Sequence, residues 1–195
     1  MVIVSGGADG AVRVWDLDTG ELALGPLTVH PGGVYAVALG VRQGRAVIVS
    51  GGLQGGVRVW DLDSGEPVPG PLTGQAGWVT AVAVGVRQGR PVIVSGGIDG
   101  TVRVWDLDTG EPALGPLTGL AGQAGRVNAV AVGVRQGRPV IVSGAADRTV
   151  RVWDLEAERH AILRIELGYA AMSVASAADR LVIGTMAELL QVDLL

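Results

Sequence analysis

The chain has no cysteine, no lysine and no phenylalanine among its 195 residues. Without cysteine there is no disulfide and no thiolate metal site. Every one of the 15 basic residues is therefore arginine. His30 and His160 are the only histidines, too few for a histidine-based metal centre. Charged residues make up 17%, and the net charge of −4 argues against a protein that coats a polyanion. The first ten residues lack the basic start and long apolar core of a secretory signal. Gly, Arg or Asp interrupts each apolar run well short of the ~18 residues of a membrane span. These absences lead to the expectation of a soluble, cytoplasmic protein with no metal, no cofactor, no nucleic acid and no membrane among its partners.

What the chain does have is apolar residues, 48% of the total, and glycine, 32 in all. The first excludes intrinsic disorder, and the length suits one domain or two small ones. Glycine at more than twice the usual ~7%, without a collagen period, implies many tight turns. The turns recur. The segment VRVWDL appears four times, with Trp15, Trp60, Trp105 and Trp153 at spacings of 45, 45 and 48 residues. Such a period fits helical solenoids or four-stranded propeller blades. Runs of four to six residues rich in Val and Ile, bounded by Gly, Pro or Asp-Gly, are strands and not helices. One period reads as strands Ala46–Ser50, Val57–Asp61, Pro67–Thr73 and Val79–Val84, an antiparallel meander. Their continuously apolar character predicts strands covered on both faces, as in radially stacked sheets.

The pattern S-G-x-x-D-G-x-V-R-V-W-D resembles the WD-repeat β-propeller family over essentially the whole chain. Its serine is Ser5, Ser50, Ser95 and Ser143, and its turn aspartate is Asp9, Asp99 and Asp147, replaced once by Gln54. The Gly-His pair of the family becomes Val29-His30, Gly74-Gln75 and, across a three-residue insertion, Gln123. The resemblance implies a hydrogen-bonded set within each blade: His30, Ser50 and Trp60; Gln75, Ser95, Asp99 and Trp105; Gln123, Ser143, Asp147 and Trp153. It also implies an all-β fold of four-stranded antiparallel blades. Residues 170–195 read as a degenerate repeat with strands at Ala171–Ala175, Leu181–Gly184 and Leu189–Leu194. The expected blades are 1–28 (partial), 29–73, 74–118, 119–166 and 167–195 (partial). That is an incomplete arc of about four and a half blades, expected to be the C-terminal part of a larger propeller.

Several local patterns imitate chemistry. Asp18-Thr19-Gly20, Asp63-Ser64-Gly65 and Asp108-Thr109-Gly110 match the loop of aspartic proteases, which needs two carboxylates about 3 Å apart. Here each copy turns a hairpin in a different blade. Asp16, Asp18 and Glu21 supply three side chains, fewer than the six or so oxygens of a calcium site. Ser5-Gly6-Gly7 leads into no helix that could hold a phosphate. His30 with Ser50 lacks an orienting carboxylate, since Gln54 stands in its place. The arginine pairs 42/45, 87/90 and 135/138 form a basic belt, but Asp18, Glu21, Asp63, Glu66, Asp108 and Glu111 share their face, so local compensation is expected.

The copies diverge in two places that a propeller opens onto one face. The approach to the inner strand carries Gly33, Trp78 and Arg126 in one column, and Tyr35, Thr80 and Asn128 in another. The turn after the second strand reads ADGA, LQGG, IDGT and, with Arg148, ADRT. Near-identical copies that differ on one face point to a partner there, and Trp and Arg are typical hot-spot residues. Tyr35, Trp78, Thr80, Arg126, Asn128 and Arg148 are thus the candidate contacts for a protein or peptide. The inner strand offers Val, Ala and Gly, without the convergent acids and bases of an enzyme. The expectation is a non-catalytic scaffold. The alternative, by resemblance, is a sensing C-terminal module of a larger signalling protein or enzyme. Bare sheet faces at the two ends of the arc predict self-association.

Overall fold

Val- and Ile-rich runs pair into strands wherever a turn lets the chain double back, and here the connections within a sheet are two to six residues long. The computed structural model describes residues 1–28, 30–53, 56–68, 72, 74–117, 125–157, 161–177 and 180–193. The first sheet is β1 (Val2–Gly6), β2 (Ala11–Asp16) and β3 (Leu22–Thr28). The second is β4 (Val34–Arg42), β5 (Arg45–Gly52) and β6 (Val57–Asp61), extended by bridges from Val57 to Leu72 and from Trp60 to Pro67. The third is β7 (Val79–Arg87), β8 (Arg90–Gly97), β9 (Val102–Asp106) and β10 (Pro112–Leu117). The fourth is β11 (Val127–Arg135), β12 (Arg138–Ala145), β13 (Thr149–Asp154) and β14 (Ala161–Glu166). The fifth is β15 (Ala171–Ala177), β16 (Arg180–Thr185) and β17 (Leu189–Asp193). All pairs are antiparallel. No helix of the described residues is long and apolar enough to cross a membrane.

The strands run further than their apolar runs suggest. β7 continues to Arg87, and the turn to β8 shrinks to Gln88-Gly89. Both turn residues have positive φ, 50° and 76°, and Gln43-Gly44 and Gln136-Gly137 repeat the same geometry. That is the requirement of a type I′ hairpin, whose twist matches the strands on either side.

The five sheets stack face to face as an open arc of blades. Inner strands are neighbours in the order β4, β7, β11, β15. The first three interfaces follow one recipe. The valines of the second and third strands of one blade pack against the inner-strand valine, the isoleucine and the tryptophan of the next. Val47, Val49, Val57 and Val59 thus meet Val79, Ile93 and Trp105. One blade on, Val92, Val94, Val102 and Val104 meet Val127, Ile141 and Trp153. Among the described residues, none forms a blade on the near side of the first. Ile3 is consequently 49% exposed where Ile48, Ile93 and Ile141 are 0%. The glycine after each second-strand serine permits the close stacking: a Cβ on Gly96 would lie 2.5 Å from Val127 Cγ1.

Candidate functional site

Within the blades, tryptophan and serine form the expected hydrogen bond in all four copies. The indole Nε1–H of Trp15, Trp60, Trp105 and Trp153 donates to Ser5, Ser50, Ser95 and Ser143 at 2.9–3.0 Å. In the third blade the set is complete. Ser95 donates to Gln75 Oε1 at 2.8 Å, and Gln75 Nε2 donates to Asp99 at 3.2 Å and to the Thr101 carbonyl at 2.9 Å. Glutamine there does what the family's histidine does. Burial raises the Asp99 pKa, but bonds from Thr101, Gln75 and the Ala76 amide outweigh it and leave the carboxyl below its usual value. In the second blade His30 Nε2 lies 2.8 Å from Ser50 Oγ. Burial, reinforced by the Arg58 charge, lowers the His30 pKa to about 4, so the ring is neutral at pH 7. In the fourth blade Asp147 accepts from the Thr149 amide and hydroxyl and pairs with Arg151 at 3.6 Å. Gln54, Gln123 and His160 lie outside the described residues.

The basic belt is compensated, though not chiefly by the acids the sequence pointed to. Arg45, Arg90 and Arg138 each lie 2.9 Å from the aspartate of their own blade's Trp-Asp pair, Asp61, Asp106 and Asp154. The other oxygen of that aspartate accepts two amides of its own turn, as Asp61 does from Asp63 and Ser64. Arg42 and Arg87 reach the next blade instead. Arg42 donates to the carbonyls of Leu107 and Asp108, and Arg87 to that of Leu155. Spacing along the chain does not show these ties, because they join residues 65 to 68 apart. The same turns carry Asp16, Asp18, Glu21, Asp61, Asp63, Glu66, Asp106, Asp108 and Glu111, so carboxylates outnumber arginines at this rim. No three of His, Asp or Glu gather as a metal-binding group among the described residues.

The opposite rim is where the copies differ, and its geometry has a common cause. Each inner strand begins with a β-bulge: Val34 pairs with Gly52 and Ala36 with Gly51, which leaves Tyr35 as the extra residue. Thr80, Asn128 and Met172 are the extra residues of β7, β11 and β15. A bulge re-aims its side chain, and here the side chains reach toward the next blade. Thr80 donates to the Val127 carbonyl, and Asn128 donates to the Ala171 carbonyl at 2.8 Å. Tyr35 instead stacks on Trp78, with ring centroids 5.3 Å apart and planes 11° from parallel. The pair is open to solvent, Tyr35 at 48% and Trp78 at 41%, and Ile98 is exposed at the same rim. Arg126 donates to Asn128 at 2.8 Å and is otherwise exposed, as is Arg148. Of the six candidate contacts, Thr80 and Asn128 therefore tie blades together, whereas Tyr35, Trp78, Arg126 and Arg148 face outward. Met172 escaped sequence reasoning, and Ile98 was read as part of a divergent turn but not as a contact. Met172 sits in a degenerate repeat whose alignment only the bulge reveals, and Ile98 sits in a turn where isoleucine was its one signal.

Residues 1–16, 23–61, 68–106 and 115–154, together well over half of the chain, match the family described as WD domain, G-beta repeat. The chain belongs to the WD40 repeat family. Propellers built of WD40 repeats generally mediate protein–protein interactions. No curated protein matches this WD40 chain in sequence. Among solved structures it is similar to the computationally designed Ika8 protein, a β-propeller, at 28% identity and a TM-score of 0.77. That similarity covers 100% of this WD40 chain but 55% of the designed one, so the chain spans about half the length of its solved relative.

Proposed function

We propose that this WD40 chain is a non-catalytic scaffold that binds a protein or peptide at the rim holding Tyr35, Trp78, Arg126 and Arg148. The stacked Tyr35–Trp78 pair carries the reading. Two large aromatic side chains from adjacent blades lie in contact yet stay exposed, at the rim where otherwise repeated copies diverge. Aromatic residues of this kind anchor interfaces because they bury much area at small entropic cost. Thr80 and Asn128 contribute by holding the blades that present the pair. The inner strands support a non-enzymatic role: β7 reads VTAVAVGVR, with its one titratable side chain at the far end.

Selection of a random dodecapeptide library on the 195-residue chain tests this reading. Enriched peptides are expected to lose at least about tenfold in affinity when Tyr35 and Trp78 are both replaced by alanine, as for truncated hot spots. The melting temperature should stay within a few degrees. A matching loss of stability and binding would show the pair to be structural.

A further inference from the structure

Resting on that reading of the rim, we infer the chemistry of its partner: an acidic peptide segment carrying one aromatic or aliphatic anchor. Three observations converge. First, the two rims differ in charge. Most of the acidic turns open at the far rim, while this rim carries Asp9, Asp99, Asp147 and Glu166, each already engaged, and Glu188 in the turn of the last blade. Asp9 lies 2.6 Å from Arg13, Asp99 holds Gln75 and Thr101, and Asp147 holds Thr149 and Arg151. Second, the exposed guanidiniums of Arg126 and Arg148 have no carboxylate partner among the described residues. A protein of net charge −4 thus turns two guanidiniums without carboxylate partners outward at the fourth blade, which favours an anionic segment there and steers its approach.

The third observation is backbone strain at Arg148. Its φ is +65°, in the left-handed region, and the matching turn residues of the first and third blades are Gly10 and Gly100, at +79° and +71°. Glycine takes that conformation freely, whereas a long side chain is strained there. Strain retained at a surface turn is a pointer to function. Here it places a guanidinium at the mouth of an open cleft lined also by Asp147, Thr149, Arg164, Glu166 and Leu167. One blade back, the Tyr35–Trp78 stack offers the apolar contact. A segment lying along the rim from the second blade to the fourth would seat its anchor on the stack and its acids against Arg126 and Arg148.

The test uses the dodecapeptide selection on the full chain, followed by affinity measurements at low and at high salt. The expected result is enrichment of peptides with net negative charge around an aromatic or aliphatic residue. Arg148→Glu and Arg126→Glu together should then lower affinity by at least about tenfold and remove most of its salt dependence. Arg148→Lys should retain most of the affinity. Arg148→Gly should weaken binding without lowering the melting temperature, because it removes the strain. Enrichment of neutral or basic peptides, or charge reversal without effect, would overturn the acidic-partner inference and leave the scaffold reading standing. Failure to enrich any peptide would overturn both. Tighter binding of a twelve-nucleotide oligouridylate than of any selected peptide would also overturn the inference, in favour of single-stranded RNA.

Discussion

At the scale of single residues, His30 and Gln75 show one position solved in two chemistries. Both lie beside the blade serine, and both are buried. Glutamine keeps its hydrogen bonds at any pH, but histidine does not. The folded state holds His30 neutral, with its pKa lowered to about 4 from 6.5. Between those values the unfolded chain binds a proton that the folded chain refuses, so stability rises with pH across that window. Above pH 6.5 the contribution is fully present, and it is lost as pH falls toward 4. By the usual conversion this amounts to roughly 3 kcal/mol. Replacing His30 with Gln, on the precedent of Gln75, should flatten the slope of unfolding free energy between pH 6.5 and 4. Denaturant titrations across that range check it, and an unchanged slope would mean His30 is not the group responsible. Below that window the acid sensitivity passes to carboxylates such as Asp99, whose pKa lies below its usual value.

At the scale of elements, the blade interface depends on a glycine meeting a valine. Gly51 faces Val79 and Gly96 faces Val127, each with a hypothetical Cβ 2.5 Å from a methyl group. At the last interface Gly144 faces Ala171 instead, at 2.8 Å. Gly96→Ala should therefore destabilise by about 1–3 kcal/mol through overpacking. Adding Val127→Ala should restore part of the loss, since it recreates the smaller pairing already present at Gly144. A double-mutant cycle by chemical denaturation measures the coupling. Strict additivity would show that the two side chains do not compete for the same space. The same interface explains the arginine hairpins: Arg42 and Arg87 tie each inner hairpin to the following blade on the acidic rim, while Thr80 and Asn128 do so on the other.

At the scale of the whole molecule, stability in a stack of repeats is close to a sum of nearest-neighbour terms, and the terminal blades have one neighbour each. β1 and β17 are edge strands paired on one side only. Ile3 at the first blade and Leu189 and Met186 at the last are largely exposed. Apolar faces and open strand edges together favour association. The 195-residue chain is expected to self-associate at tens of micromolar, a concentration typical of such measurements, and sedimentation velocity or light scattering reads this directly. A stable monomer would show that the end faces are adequately solvated. Ile3→Glu should weaken association through the first blade, whereas Ile93→Glu, fully buried, should unfold its blade.

The strand content and the blade period were legible in the sequence because each depends on residues close together in one repeat, and the repeat is its own alignment; the tryptophan–serine set came from the family resemblance. Trp105 and Ser95 are ten residues apart, so the bond that the resemblance implies closes within one repeat. The outward rim was legible as divergence between copies. What tertiary structure alone decided is how that divergence divides. Tyr35, Thr80 and Asn128 look equivalent in sequence, yet two of them reach into carbonyls of the next blade while Tyr35 finds Trp78 and stays exposed. The reach of Arg42 and Arg87 across blades likewise arises from packing between blades. A residue's partner across such an interface is fixed by the stacking of sheets, and no spacing within one repeat encodes it.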